Sequence, residues 1–240
     1  MMRAFQRWWW VLFLIPALLF GSFLVWAETP LGPMPEALAA LESDAQVQVE
    51  QGEWYIFRPT GSTPDYGVII YPGGRVDPRS YAPMAHALAR EGYLAIIVPM
   101  PFNLAVFNPG AATEVIAAFP EIADWSVGGH SLGGAMAANF VQYNPAAIAG
   151  LFLWAAYPAS GDDLSDGNMS VISIYATLDG LMTGEEVEAS RPLLPPDTTW
   201  VPIEGGNHAQ FGWYGDQPGD NPATISREDQ QAQILEAMIR

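Results

Sequence analysis

The chain has 240 residues, half of them apolar, including nine Trp, nine Tyr and eleven Phe; that is enough for one domain with a full core and too hydrophobic for disorder. Cysteine is absent and all nine basic residues are arginine, which removes disulfides, thiolate metal sites, cysteine nucleophiles and lysine-bearing phosphate loops. A formal net charge of −17 repels polyanions, so nucleic acid is not an expected partner.

The first segment stands apart. Arg3 and Arg7 precede an uncharged run from Trp8 to Ala27, and about 20 apolar residues match the hydrocarbon thickness of a bilayer. The arginines favour an amino terminus on the cytoplasmic side. Residues 1–27 are therefore expected to be a transmembrane anchor. Val25-Trp26-Ala27 is also a passable cleavage site, so a removable signal segment stays open. The rest of the chain then lies outside the cytoplasm, membrane-anchored or secreted. Residues 28–45 read as a proline-containing linker with a short helix, and residues 46–240 as the folded domain.

Within that domain, strand-like runs fall at Val47–Val49, Trp54–Phe57, Val68–Tyr71, Leu94–Val98, Ser126–Gly128, Leu151–Trp154, Val171–Tyr175 and Trp200–Ile203. The middle runs, "GVIIYP" and "YLAIIVPM", are nearly continuous apolar stretches. Such strands are buried on both faces, which predicts a mostly parallel central sheet covered by helices on both sides. Helical patterns lie between the strands. "SYAPMAHALAREGY" offers Ser80 as its cap and Gly92 as its stop, "LGGAMAANFVQYNP" ends before Pro145, "TGEEVEASRPLL" starts at Thr183, and "SREDQQAQILEAMIR" opens with Ser226.

Between the fifth strand and its helix lies Gly129-His130-Ser131-Leu132-Gly133, a G-x-S-x-G pattern. A serine on so sharp a turn holds its hydroxyl clear of the sheet, and side chains two residues either side would strike the strand and helix. Ser131 is the expected nucleophile, at a helix amino terminus that favours developing negative charge. The dinucleotide spacing G-x-G-x-x-G does not fit "GGHSLGG".

A serine needs a base, and the base an orienting acid. The chain holds three histidines. His86 sits in mid-helix as a surface or packing residue, and His130 adjoins the serine with its ring turned away. His208 follows the last strand in the loop "EGGNH" and is the expected base. Asp179, three residues beyond the strand "SVISIYA", is the expected acid. Asp162, Asp163 and Asp166 in "SGDDLSDG" read as a solvated turn, and Glu204 stands too close to its own strand. Nothing in the residues calls for a metal or another cofactor.

The order Ser131, Asp179, His208, with "VIIYPGGRVDPRSYAPMAHALAREGYLAIIVPMPFNLA", "GGHSLGGAMA", "IYATLDGL" and "GGNHAQFGWYG", resembles the α/β-hydrolase superfamily from Tyr66 to about Arg240. More narrowly it is similar to the small bacterial alpha/beta hydrolase fold-5 group related to dienelactone-hydrolase-like enzymes, although those use a cysteine nucleophile. The resemblance implies an α/β-hydrolase fold with two oxyanion donors. One is the N–H of Leu132. The other comes from the Gly73-Gly74-Arg75 turn, from either Gly74 or Arg75. The Arg75 side chain is expected either to bind a substrate carboxylate or to pair with Asp77.

Only residues 155–170 separate two strands where many lipases carry a helical insertion, so no large lid is expected. The pocket would be rimmed by Met100, Phe102 and Tyr157, with Phe211 and Trp213 as further candidates for the rim. The expected function is a serine hydrolase acting on a small-molecule carboxylic ester through an acyl-enzyme. An amidase or peptidase with the same triad, and a membrane-tethered binding protein without turnover, are the alternatives. Oligomeric state and the natural substrate are not legible.

Overall fold

The protein is described here by a computed structural model, over residues 11–239. An apolar helix, α1 (Val11–Ala27), and a short helix, α2 (Pro35–Ala39), precede eight strands. These are β1 (Val47–Gln51), β2 (Tyr55–Pro59), β3 (Tyr66–Tyr71), β4 (Leu94–Ile97), β5 (Asp124–His130), β6 (Gly150–Trp154), β7 (Ser170–Ala176) and β8 (Thr199–Ile203). Five further helices connect or follow them: α3 (Ala82–Arg90), α4 (Ala112–Ala118), α5 (Leu132–Tyr143), α6 (Gly184–Ser190) and α7 (Arg227–Met238).

The strands form one sheet in the order β1-β2-β4-β3-β5-β6-β7-β8. From β4 to β8 all neighbours are parallel, while β1 and β2 add an antiparallel edge. Each of the eight expected strands is present, with Trp54 and Val98 falling just outside β2 and β4.

The apolar runs are explained by burial on two faces. Along β3, Val68 and Ile70 enter one core with Leu88 of α3 and Ile234 of α7, whereas Ile69 and Tyr71 enter the other with Val115 of α4 and Val141 of α5. Alternate side chains of one strand thus feed opposite cores, which only a central strand can do.

The helix starts are set by local chemistry. Thr183 and Glu186 form a reciprocal capping box on α6, and the Ser226 side chain accepts the Asp229 N–H at α7. The expected Ser80 cap does not form. Asp77 instead caps a 3-10 turn, Pro78–Tyr81, and α3 begins at Ala82; the buried Ser80 hydroxyl has no hydrogen-bond partner among the described residues. Helix α4, which carries no side-chain cap, has no counterpart in the sequence reading.

The described part of the amino-terminal segment is the 17-residue α1, about 25 Å long. Among the described residues no helix is long and apolar enough to cross a membrane. Arg3, Arg7 and Trp8 to Trp10, which the sequence reading joined to this run, lie outside the described residues.

Candidate active site

The chemistry-bearing loops share one end of the sheet. β3 runs into Gly73 to Val76, β4 into Pro101 to Asn103, β5 into Ser131, β7 into Asp179 and β8 into His208. All leave the carboxyl ends of parallel strands, where the order switches direction across β3 and β5 and open α/β sheets place their sites.

Ser131 adopts φ 53° and ψ −122° between β5 and α5, a conformation that side chains rarely take. The turn is tight enough to require its glycines. A Cβ on Gly129 would lie 2.1 Å from the Tyr71 carbonyl oxygen, and one on Gly133 would lie 2.3 Å from the same atom. Ser131 is held from behind by its N–H, which donates to the Trp154 carbonyl at 2.9 Å.

Asp179 and His208 meet. The His208 Nδ1–H donates to Asp179 Oδ2 at 2.7 Å, and both side chains are buried. The other carboxylate oxygen, Oδ1, accepts the N–H groups of Leu181 and Met182 at 2.7 Å each. A carboxylate bound on both oxygens is fixed in orientation and fixes the ring in turn. His208 Nε2 is buried and makes no hydrogen bond, to Ser131 or to any other described residue. The ring of His130, next to Ser131 in the chain, packs 4.4 Å from that of His208.

His130 has a defined role in this packing. Tyr81 Oη accepts the Gly73 N–H at 2.9 Å and lies 2.8 Å from His130 Nδ1. Burial pushes the Tyr81 phenol well above its ordinary range, so it keeps its proton and shares a hydrogen bond with Nδ1. Burial, and then the neighbouring His208, hold His130 well below the ordinary histidine range, offset in part by the His208 backbone. The ring is neutral and stacks on Phe211 at 5.7 Å.

Residues that sequence reasoning missed hold the two loops together. Asp220 Oδ1 accepts the Gly180 N–H at 3.0 Å and Oδ2 the Ala209 N–H at 2.8 Å, so one carboxylate ties the acid loop to the histidine loop. Gln230, fully buried on α7, accepts the Asn207 N–H and donates to the Asn207 carbonyl. Arg227 donates to the carbonyls of Ala209, Gly212 and Gly215, and burial lowers its pKa. The stretch "AQFGWYGDQPGD" is thus held beside His208 by Asp220 and by Arg227 of α7, partners that spacing alone does not reveal.

Of the expected oxyanion donors, the Leu132 N–H stands at the first position of α5 and has no intrahelical acceptor. In the β3 loop, the Gly73 N–H is taken by Tyr81 and the Arg75 N–H by the Asn103 carbonyl at 2.7 Å. The Gly74 N–H between them makes no hydrogen bond among the described residues. A Cβ on Gly74 would lie 3.2 Å from Leu132 Cδ2, so Gly74 sits against the Leu132 side chain.

Several of the expected residues have partners within the fold. The Arg75 N–H is engaged, and its side chain does not pair with Asp77. It donates to the Trp26 and Thr29 carbonyls, while Asp77 pairs with Arg79. Met100 is buried in the core beside Tyr71 and Val98 rather than at a rim. Phe102 packs on Phe23 and Phe107. The Tyr157 hydroxyl donates to Glu186 at 3.1 Å. Asp162 is buried and accepts from Asn139, not part of a solvated turn. Residues 155–169 hold no helix or strand, as the absence of a large lid requires. A cleft of about 460 Å³ opens at the opposite, amino ends of the strands, between Tyr66, Ser126, Ser170 and Thr199. Among the described residues no group of three or more His, Asp or Glu is placed to hold a metal ion.

The model of the alpha/beta hydrolase family matches residues 67–232, an interval that contains every loop just described. This chain belongs to the alpha/beta hydrolase family. Membership places it among hydrolases, and the fold agrees with solved structures of distant sequence. A putative dienelactone hydrolase from Klebsiella pneumoniae subsp. pneumoniae aligns with a TM-score of 0.60 at 18% identity, over 81% of this chain and 98% of that one. The esterase domain of a Rhodothermus marinus protein aligns at 0.59 and 12%, over 80% and 96%. A thermophilic esterase, Est2 of Thermogutta terrifontis, aligns at 0.56 and 14%, over 81% and 92%. No curated protein sequence matches this alpha/beta hydrolase.

Proposed function

We propose that this alpha/beta hydrolase cleaves a small carboxylic ester through an acyl-enzyme, with Ser131 as nucleophile, His208 as base and Asp179 as orienting acid. The observation that carries the reading is the 2.7 Å bond from His208 Nδ1 to Asp179, which leaves Nε2 without a partner in a ring packed against the Ser131 turn. In this mechanism Ser131 Oγ attacks the ester carbonyl and its proton passes to His208 Nε2. Asp179 balances the imidazolium. The tetrahedral oxyanion accepts the N–H groups of Leu132 and Gly74; each such donor contributes about 3 kcal/mol to lowering the barrier. His208 then returns the proton to the departing alcohol, and water, deprotonated by the same nitrogen, releases the acid and restores Ser131.

The names of the solved neighbours favour an ester over an amide, since two are esterases. A fluorophosphonate should label the wild-type protein and not Ser131→Ala. Absence of wild-type labelling would remove the catalytic reading, and labelling of the variant would remove Ser131. A panel of acetyl to octanoyl esters beside the matching anilides then tests the bond type, with faster anilide turnover deciding for an amidase.

The amino-terminal segment is proposed to attach the protein to a bilayer with the catalytic domain outside the cytoplasm. Supporting this, Leu12, Phe13, Leu18, Leu19, Phe20 and Val25 are all exposed on α1, and such a row is costly to keep in water. Flotation of the full chain with neutral lipid vesicles tests this; protein left at the bottom of the gradient would refute it.

A further inference from the structure

Among the described residues, five that are not glycine have positive φ: Arg75, Phe102, Asn103, Ser131 and Ala155. Three of them sit in the loops after β3 and β4, beside the proposed oxyanion donor Gly74. Strained backbone of this kind persists only where its surroundings over-determine it, and here the surroundings are the end of α1.

The contacts are specific. Arg75 Nε donates to the Trp26 carbonyl and Nη2 to the Thr29 carbonyl, each at 2.8 Å, and the guanidinium lies 4.3 Å from the Trp26 ring centroid. Asn103 Nδ2 donates to the Ala27 carbonyl at 2.9 Å. The two loops are tied to each other by the bond from Arg75 N to Asn103 O. Leu31 N donates to the Arg75 carbonyl at 2.7 Å, and Asp77 N to the Leu31 carbonyl at 2.9 Å. Phe23 packs on Phe102 and Phe107, and Ala27 is fully buried. The last carbonyls of a helix lack intrahelical donors and carry its negative end; a guanidinium and an amide supply what they lack. The same two side chains belong to residues that flank or hold Gly74.

We propose that the carboxyl end of α1 is a working part of the catalytic site, retained in the active enzyme, and that Arg75 and Asn103 are positioning residues that hold the Gly74 N–H through it. The inference rests on the hydrolase reading above. Removal of the segment after Ala27 would take away the acceptors at Trp26 and Ala27, leaving Arg75 and Asn103 to relax out of their left-handed conformations. The oxyanion donor would then lose its aim while the triad stayed intact.

The test uses the full chain, with p-nitrophenyl acetate as substrate and fluorophosphonate labelling alongside. Arg75→Gln and Asn103→Gly, the second keeping the left-handed backbone, should each lower kcat by about 10- to 100-fold, the range that a small misplacement of a catalytic group produces. KM should change far less, as expected for an interaction made in the transition state. Arg75→Lys should recover part of the loss. The double variant should fall no further than the worse single one, because both act through one helix end. Variants with lowered Tm but wild-type kcat would overturn the proposal, as would an active native protein whose sequence begins at Glu28. A wild-type chain that neither turns over ester nor labels would instead overturn the hydrolase reading on which it rests.

Discussion

Ser131 and His208 carry the proposed reaction, yet the buried side chains around them set the terms. Asp179→Asn keeps the shape and presents an amide N–H to the histidine in place of a carboxylate oxygen, so kcat should fall by about 10⁴-fold with little loss of stability, measured by ester turnover beside a thermal melt. Tyr81→Phe leaves the Gly73 N–H and His130 Nδ1 unpaired in a dry site, which should cost about 1–3 kcal/mol in chemical denaturation. His130 supplies a pH dependence. Its folded-state pKa is held below the unfolded value of about 6.5, so the unfolded chain binds a proton that the native state refuses. Its share of stability is present above pH 6.5 and declines as pH falls below it, by at most about 1.4 kcal/mol per pH unit. Melts of wild type and His130→Gln between pH 7 and 5 should differ in slope, with the wild type the steeper; parallel slopes would refute the assignment.

At the level of elements, α6 and α7 divide the labour. Thr183 caps α6 one residue after Met182, whose N–H binds Asp179; Thr183→Ala should cost about 1 kcal/mol and leave most of kcat, since that backbone bond does not involve the Thr183 side chain. Helix α7 instead reaches the site through Gln230 and Arg227, and Asp220 joins the two catalytic loops. Asp220→Asn replaces an acceptor with a donor facing one of two backbone N–H groups, and kcat should fall about 10-fold or more as the loops separate, read from kcat against KM. The strands were legible because a doubly buried strand must be apolar throughout, and Ser131 because its turn admits only glycine at 129 and 133. Helix α4 was not legible: seven residues without a cap give too little periodicity to recognise. Ser80 misled because Asp77, three residues earlier, captured the turn first. The contacts of Arg75, Asp220 and Arg227 escaped for a different reason. Their partners lie 49, 40 and 18 residues away respectively at the far ends of their contacts, and nothing local marks such pairs.

For the whole molecule, the sign of the charge matters more than any one ion pair. A net charge of −17 makes the folded chain repel itself, and raising salt from about 0.01 to 0.15 M shortens the screening length from about 30 to 8 Å. Tm should rise over that range; a flat or falling Tm would show that local pairs such as Arg90 with Asp44 already neutralise the repulsion. The fold and the loop positions follow from apolar patterning, which is a property of the whole sheet. The details of the pocket do not, since Met100 and Tyr157 are claimed by neighbours whose approach only the packed tertiary structure determines.

The non-glycine residues of positive φ gather on one rim, after β3, β4, β5 and β6. A laboratory selection for heat tolerance would find that rim first: glycine at 102 or 155 relieves about 1–2 kcal/mol of left-handed crowding against about 0.5–1 kcal/mol of extra chain freedom. Survivors would gain melting temperature where the parent had stored tension, and those that slackened the turn at 131 would outlast the parent while doing no work.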